Sequence, residues 1–457
     1  MKIFLPELEI GPIEGFDPSK DIFKRAELGR GLTNLLSLAD DPLVIAVDGQ
    51  WGSGKTVFLK MWSGELRKLG FPVIYFDAFA HDYFEDAFLA IAGEIVALAD
   101  EKSAVSDGKL KTFKSVAVKT GKILARATLK IGIRAGTFGA GKAEDFEGLA
   151  DAVADDAASL FDEHIGEMIT KQKQHKSTLA AFKDSLSSLP KLLAPISEEE
   201  RSAIAAKPLI FIIDELDRCR PDFALQILER MKHFFAVPNV HFVLGTNLKQ
   251  LSNSIATCYG PNIDADLYLQ KFVHLVFHLQ DKREHHSTAT IETYVNYLEK
   301  LHNFSSPDQQ FTSQCATELK RIATETNLTL RTIQRVFSII AIATASTPHN
   351  HWRNPAIITG LAVIKVVKST LFERAKLGLL RFSEVSSVLG FVDEDQLEKF
   401  DPAQWSIQWW RFVSDPAAPD NLVQSLSESL FKYSFHDRLS MLPHAANNII
   451  DRFDSRI

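Results

Sequence analysis

The chain has 457 residues, of which 46% are apolar and 24% charged. That is enough to bury two sizeable cores, and the composition is that of a folded globular protein, not a disordered or fibrous one. The 58 acids outnumber the 51 Lys and Arg, leaving a net charge of -7, so the surface as a whole offers nucleic acid no general attraction. Cys219, Cys258 and Cys315 lie far apart with no CxxC pair, which fits neither a zinc site nor a disulfide framework and suits a reducing cytosol.

At the N-terminus, Met1 to Pro12 carries acids and no basic stretch ahead of an apolar one, so no secretory signal is expected. The first apolar run, Leu43 to Val47, reads as a buried strand. It leads directly into Gly49-Gln50-Trp51-Gly52-Ser53-Gly54-Lys55-Thr56, the phosphate-loop pattern of glycines followed by Lys-Thr. Glycines let the backbone turn so that successive N–H groups face phosphate oxygens, and the helix that follows adds the positive end of its dipole. Lys55 is then placed to reach the β and γ phosphates, and the Thr56 hydroxyl to ligate Mg²⁺. A helix opening at Gly54 gathers Val57, Phe58, Met61, Trp62 and Leu66 on one side and stops near Gly70.

A second strand, Val73 to Phe76, is separated from the third by about 130 residues, more than one crossover needs. Residues 94–207 are therefore expected to form a helical, charged insertion. Its charges are segregated: Glu101 to Lys142 holds ten Lys or Arg against two acids, and Ala143 to His164 holds eight acids and no Lys or Arg. The two halves can pair with each other, or the basic half can meet phosphate, nucleic acid or anionic lipid.

The third strand, Leu209 to Ile213, ends in Asp214-Glu215. Asp214 is expected in the magnesium shell, and Glu215 beside the water that attacks the γ phosphate. A helix opens at Pro221, a residue suited to the first helical position. The fourth strand, Val240 to Leu244, ends in Gly245-Thr246-Asn247; Asn247 or Thr246 is a candidate to position water, with Asn247 preferred, although strand ends often finish in Asn for local reasons. The fifth strand is Val273 to Phe277. Uninterrupted apolar strands alternating with amphipathic helices specify an α/β domain with a parallel sheet covered on both faces, in two parts, 1–93 and 208–284.

Beyond residue 285 helical patterns take over, giving a helical C-terminal region over 285–457. Trp405, Trp409 and Trp410 sit there at helical spacing and read as core. The longest uncharged run, Val336 to Trp352, contains too many polar residues for a membrane span.

The strand order 5-1-4-3-2 is expected because an added strand between the phosphate loop and the acids, together with Glu215, is similar to the P-loop NTPase branch with that order. Ile213-Asp214-Glu215-Leu216-Asp217-Arg218-Cys219-Arg220-Pro221 resembles the KAP family of P-loop NTPases. Asp77-Ala78-Phe79, Lys232-His233-Phe234-Phe235 and Tyr268-Leu269-Gln270-Lys271-Phe272 agree with it. The resemblance covers roughly residues 17 to 340. It implies an ATPase of the signalling and conflict-system kind, whose bacterial members are suspected in defence against phage or plasmids. Many members insert transmembrane helices between the phosphate loop and the acidic strand. Here Lys111, Lys114, Lys119, Lys122, Arg126, Lys130 and Arg134 occupy that insertion, so a transmembrane anchor is not expected and peripheral adsorption to a membrane stays open.

Among cations, Arg218 and Arg220 lie nearest the acids, either reaching a neighbouring subunit's nucleotide or pairing with Asp217 or Asp222. Arg331, in Leu328 to Arg335, begins a helix that resembles a second-sensor segment. Two functions are compatible with the pattern. One is a magnesium-dependent ATP hydrolase working as a switch, with a protein partner or a second copy of itself. The other is a scaffold that assembles on ATP without hydrolysing it.

Overall fold

In the computed structural model the described residues are 8–39, 41–102, four positions between 115 and 120, 176–190, 207–279, 288–391 and 402–453. The segregated basic and acidic halves of the expected insertion lie almost wholly outside them.

Five strands, β1 Val44–Asp48, β2 Val73–Asp77, β3 Leu209–Asp214, β4 Val240–Thr246 and β5 Leu275–His278, form one parallel sheet in the order β2-β3-β4-β1-β5. Read from the other edge, this is the 5-1-4-3-2 order expected. Along β3, Leu209, Phe211 and Ile213 enter one core while Ile210 and Ile212 enter another, the period of two that a sheet buried on both faces requires. Phe58, Leu59 and Trp62 of the helix Lys55–Lys68 and Leu32 and Leu36 of Ala26–Leu38 cover one face. Phe88 and Ile91 of Ala87–Lys102 and Phe223 and Ile227 of Pro221–Arg230 cover the other.

Two expectations need correction. The division at residues 93 and 94 falls inside the helix Ala87–Lys102, whose Ile95 is as buried as Ile91. The helix 176–190 also belongs to the sheet core, because Phe182 packs on Phe88 and Phe235 with ring centroids 5.3 and 5.4 Å apart. Apolar burial, not chain continuity, decides membership. The fifth strand begins at Leu275 instead of Val273, and its Leu275 and Val276 are 43% and 44% exposed. Among the described residues it is an edge strand paired with β1 alone, so a run of apolar residues here does not mean burial on both faces. The helix from Pro221 passes into a π-helical turn, Met231–Phe235, before Pro238.

The helical region has its own core, built on Ile333, Val336, Phe337 and Ile340 of the helix Leu330–Ser346 and on Ile357, Leu361 and Ile364 of Pro355–Val367. Trp409 and Trp410 enter it, whereas Trp405 is 46% exposed. Phe23 from the N-terminal segment packs against the same core. Among the described residues, no helix is long and apolar enough to cross a membrane.

Candidate nucleotide site

Strand register assembles the site. Asp48 stands opposite Thr246, Asp77 opposite Asp214, and Asp214 opposite Gly245, so the ends of four parallel strands bring their polar residues to one edge of the sheet. Gly245 is needed there, since a Cβ at that position would collide with the Asp214 carboxylate and Leu59. The loop between β1 and its helix turns through Gly52 and Gly54, at φ +81° and +82°, in the left-handed region that glycine alone enters at no steric cost. The Gly49 N–H bonds the Thr246 carbonyl, tying the loop to β4.

The Lys55 ammonium folds over this loop onto the Gly49 and Gln50 carbonyls. Burial lowers its pKa, and the acids Asp217, Asp214 and Asp48 oppose that shift. Asp214 is 1% exposed. Its Oδ2 accepts from the Tyr75 hydroxyl at 2.6 Å, its Oδ1 from the Glu215 N–H at 2.9 Å, and the Thr56 hydroxyl also bonds it. Burial pushes its carboxyl pKa up, and these three donors pull it back toward the charged form. A buried carboxylate joined to a hydroxyl is the oxygen donor pair that suits a hard cation sharing phosphate oxygens. Among the described residues no group of three or more His, Cys, Asp or Glu could hold a metal. Thr56 and Asp214 could supply two oxygen donors to Mg²⁺, the remaining positions falling to a substrate's phosphates.

Glu215 has φ +60°, a left-handed conformation uncommon outside glycine, of the strained kind found at functional sites. Its carboxylate is raised by burial and lowered by Arg218, whose Nη1 lies 2.7 Å from Oε1. Arg218 thus turns back to its own acidic residue, not outward, and pairs with neither Asp217 nor Asp222. Asp217 receives the Trp51 indole N–H. Asp222 lies 3.8 Å from Arg220, which also donates to the carbonyls of Asp82 and Phe84 and so fastens the β2 loop.

Arg331 arrives from the helical region at the start of Leu330–Ser346, where Thr329 caps the helix through the Thr332 N–H. A Cβ on Gly52 would lie 2.7 Å from the Arg331 Cβ, so the phosphate loop and the helical region are in van der Waals contact. Burial and then the neighbouring Arg218 lower the Arg331 pKa, while Glu215 supports its charge. Gln50, Trp51, Gly52, Gly54, Lys55, Thr56, Asp214, Glu215, Arg218 and Arg331 all border one cavity of about 600 Å³, and Ser53 and Gly49 lie in the loop that forms its floor. Asn247 does not border it. Its Oδ1 accepts the Gln250 N–H at 3.4 Å as the cap of Leu248–Tyr259, the local role open to any Asn at such a turn. Thr246, by contrast, is fully buried, with a hydroxyl that makes no hydrogen bond among the described residues.

Two contributors carry no motif. Arg25, 7% exposed, donates to the Ser53 carbonyl at 3.1 Å and more weakly to that of Gly54. Burial holds its pKa down at about 10. Tyr75 points from β2 onto Asp214, and both burial and that carboxylate raise its pKa. No local spacing announces either one, because each meets the site only through the sheet and the N-terminal segment.

A parallel 5-1-4-3-2 sheet with a glycine-turned loop before its first helix and a buried carboxylate at its third strand defines a P-loop NTPase domain. The chain belongs to the KAP family: the KAP family P-loop domain matches residues 30–346. No curated protein matches it. Among solved structures it is similar to the ORC2 protein of Aeropyrum pernix, in its ADPNP-ADP complexes and in its ADP form. Both comparisons cover 98% of this chain and 97% of the other, with 11% identity and TM-scores of 0.36 and 0.37. A likeness of that size says nothing of function.

Proposed function

We propose that the chain is a magnesium-dependent ATP hydrolase whose cycle moves the helical region against the sheet domain. The observation that carries this reading is the contact of Arg331 with Gly52, beside the Glu215–Arg218 pair: the phosphate loop, the water-side acid and the helical region share one surface. Lys55 would leave the loop carbonyls for the β and γ phosphates. Thr56 and Asp214 would hold the ion, which when bound neutralises phosphate charge and fixes its oxygens. Glu215 would orient the attacking water and take its proton. Arg218 and Arg331 would face the charge that builds on the γ phosphate. Loss of that phosphate removes the anion both arginines share, leaving their mutual repulsion to loosen the helical region. Purified protein should release phosphate from Mg-ATP; no release, or release unchanged in Lys55→Ala and Glu215→Gln, would overturn this.

A second reading, assembly on ATP without hydrolysis, is favoured by one feature: Arg218 already occupies the Glu215 carboxylate at 2.7 Å. ATP recovered intact after long incubation, with assembly lost in Lys55→Ala but kept in Glu215→Gln, would select it. A role in defence against phage or plasmids rests on the family resemblance alone, and phage challenge of cells carrying Lys55→Ala against the wild type tests it.

A further inference from the structure

Arg331 is the second residue of Leu330–Ser346. Beyond the far end of that helix, about 25 Å away at 1.5 Å per residue, lies another cavity, of about 680 Å³. Two loops form it, 350–352 and 432–437, with His444 behind them. The Phe435 ring is edge-on to buried Trp352 at 5.6 Å and to the His444 imidazole at 5.2 Å. Tyr433 lies beside it under the Lys432 ammonium, 5.3 Å from the ring centroid.

The polar lining is rich in nitrogen hydrogen-bond donors. His351, His436, His444 and Lys432 border the cavity against a single acid among its lining residues, Asp437. Asp437 is already committed, accepting the Leu439 N–H as a helix cap at 3.2 Å. The His444 Nδ1 lies 3.0 Å from Asn448 Nδ2. An amide nitrogen can only donate, so Nδ1 accepts and Nε2 carries the hydrogen the ring offers. Burial, followed by the nearby His351, lowers the His444 pKa, which keeps the ring neutral with one N–H to donate. The loop is also well anchored: Arg353, next to Trp352, donates to the Thr344 and Thr347 carbonyls and pairs with Asp308 at 2.9 Å.

We propose that this cavity binds a small phosphate ester carrying an aromatic ring, of the nucleoside monophosphate class. The phosphate lies among His351, His444, His436 and Lys432, and the ring against Phe435 and Tyr433. The volume is that of an organic ligand, within the roughly 300–1,000 Å³ such sites occupy, and inorganic phosphate would leave the aromatic side unused. The site is separate from the nucleotide pocket and does not depend on ATP hydrolysis.

The test is calorimetric titration of the full chain with adenosine monophosphate, adenosine and inorganic phosphate, with ADP saturating throughout so that the phosphate loop is occupied. The monophosphate should bind at least about ten-fold more tightly than either fragment. Lys432→Ala and His436→Ala, at exposed positions that put folding at little risk, should each weaken it several-fold. His351→Ala with His444→Ala should weaken it by about ten-fold or more, as expected when charge-assisted hydrogen bonds are lost. A signal removed by saturating ADP, equal affinity for phosphate alone, or indifference to all four substitutions would each overturn the proposal.

Discussion

The sheet domain and the helical region meet at the nucleotide pocket, yet they reach it by different physical routes. In the sheet domain the functional groups are fixed by short stretches of chain: β1 runs into the phosphate loop, β3 into Asp214 and Glu215, and parallel register brings the two ends side by side. Strands buried on both faces hold these groups with little freedom. The helical region brings one arginine, Arg331, to the pocket, and places it by packing a helix start on Gly52. A site made by strand ends is precise but static; a site completed by a second core can open. In the proposed cycle the acids and Lys55 would therefore serve the bond-breaking step, and Arg331 would report which nucleotide is bound.

Substitutions on the two sides should therefore behave differently. Lys55→Ala, on the sheet side, should lower Mg-ATP affinity by about a hundred-fold or more, because it removes the charge facing two phosphates. Calorimetric titration measures this, and unchanged affinity would break the assignment of the loop. Glu215→Gln should leave affinity within a few-fold and cut turnover by about a hundred-fold, read by phosphate release; wild-type turnover would move the water-side role elsewhere.

Arg25→Met tests the N-terminal segment as a brace for the loop. Losing charged donors to the Ser53 and Gly54 carbonyls should cost about 2 kcal/mol of stability, seen as a lower denaturant midpoint with the slope unchanged. Arg331→Ala sharpens the comparison most directly. Turnover should fall about ten-fold with the sheet domain intact, and the response of the helical region to ATP, followed by protection of 330–346 from hydrogen exchange, should disappear. Nucleotide-dependent protection persisting in that variant would show that the region closes without this arginine.

The smallest effect concerns pH. Burial raises the Glu215 pKa and Arg218 lowers it. The proton-accepting form is lost as pH falls through that raised value, so the acidic limb of turnover should lie above the ordinary glutamate range. Removing the guanidinium in Arg218→Ala takes away the opposing influence, and the limb should move to still higher pH in a profile of kcat. A limb that stays in place would remove Glu215 as the group titrating there.

How much of this was legible in the sequence follows from range. The phosphate loop, the Asp214-Glu215 pair and the strands that carry them depended on contiguous residues with strong patterns: glycines before Lys-Thr, and apolar runs ending in acids; the strand order followed from the resemblance to a P-loop NTPase branch. The family resemblance rested on the same stretches, and the family match over residues 30–346 agrees with it. Capping of Leu248–Tyr259 by Asn247 was likewise a local possibility. Only the tertiary structure decided the long-range pairings. Arg218 chose Glu215 over Asp217 because the left-handed turn at Glu215 and the short helix after it bring the two side chains together, while Trp51 claims Asp217. Tyr75 reached Asp214 across neighbouring strands. Arg25 found the phosphate loop across 28 residues of chain. The exposure of β5 came from its place at the sheet edge, and the helix 176–190 joined the sheet core through aromatic packing. Backbone conformation and strand patterning are written in neighbouring residues. Which charges meet depends on how separate elements are brought together by burying their apolar faces, and that is a property of the whole fold.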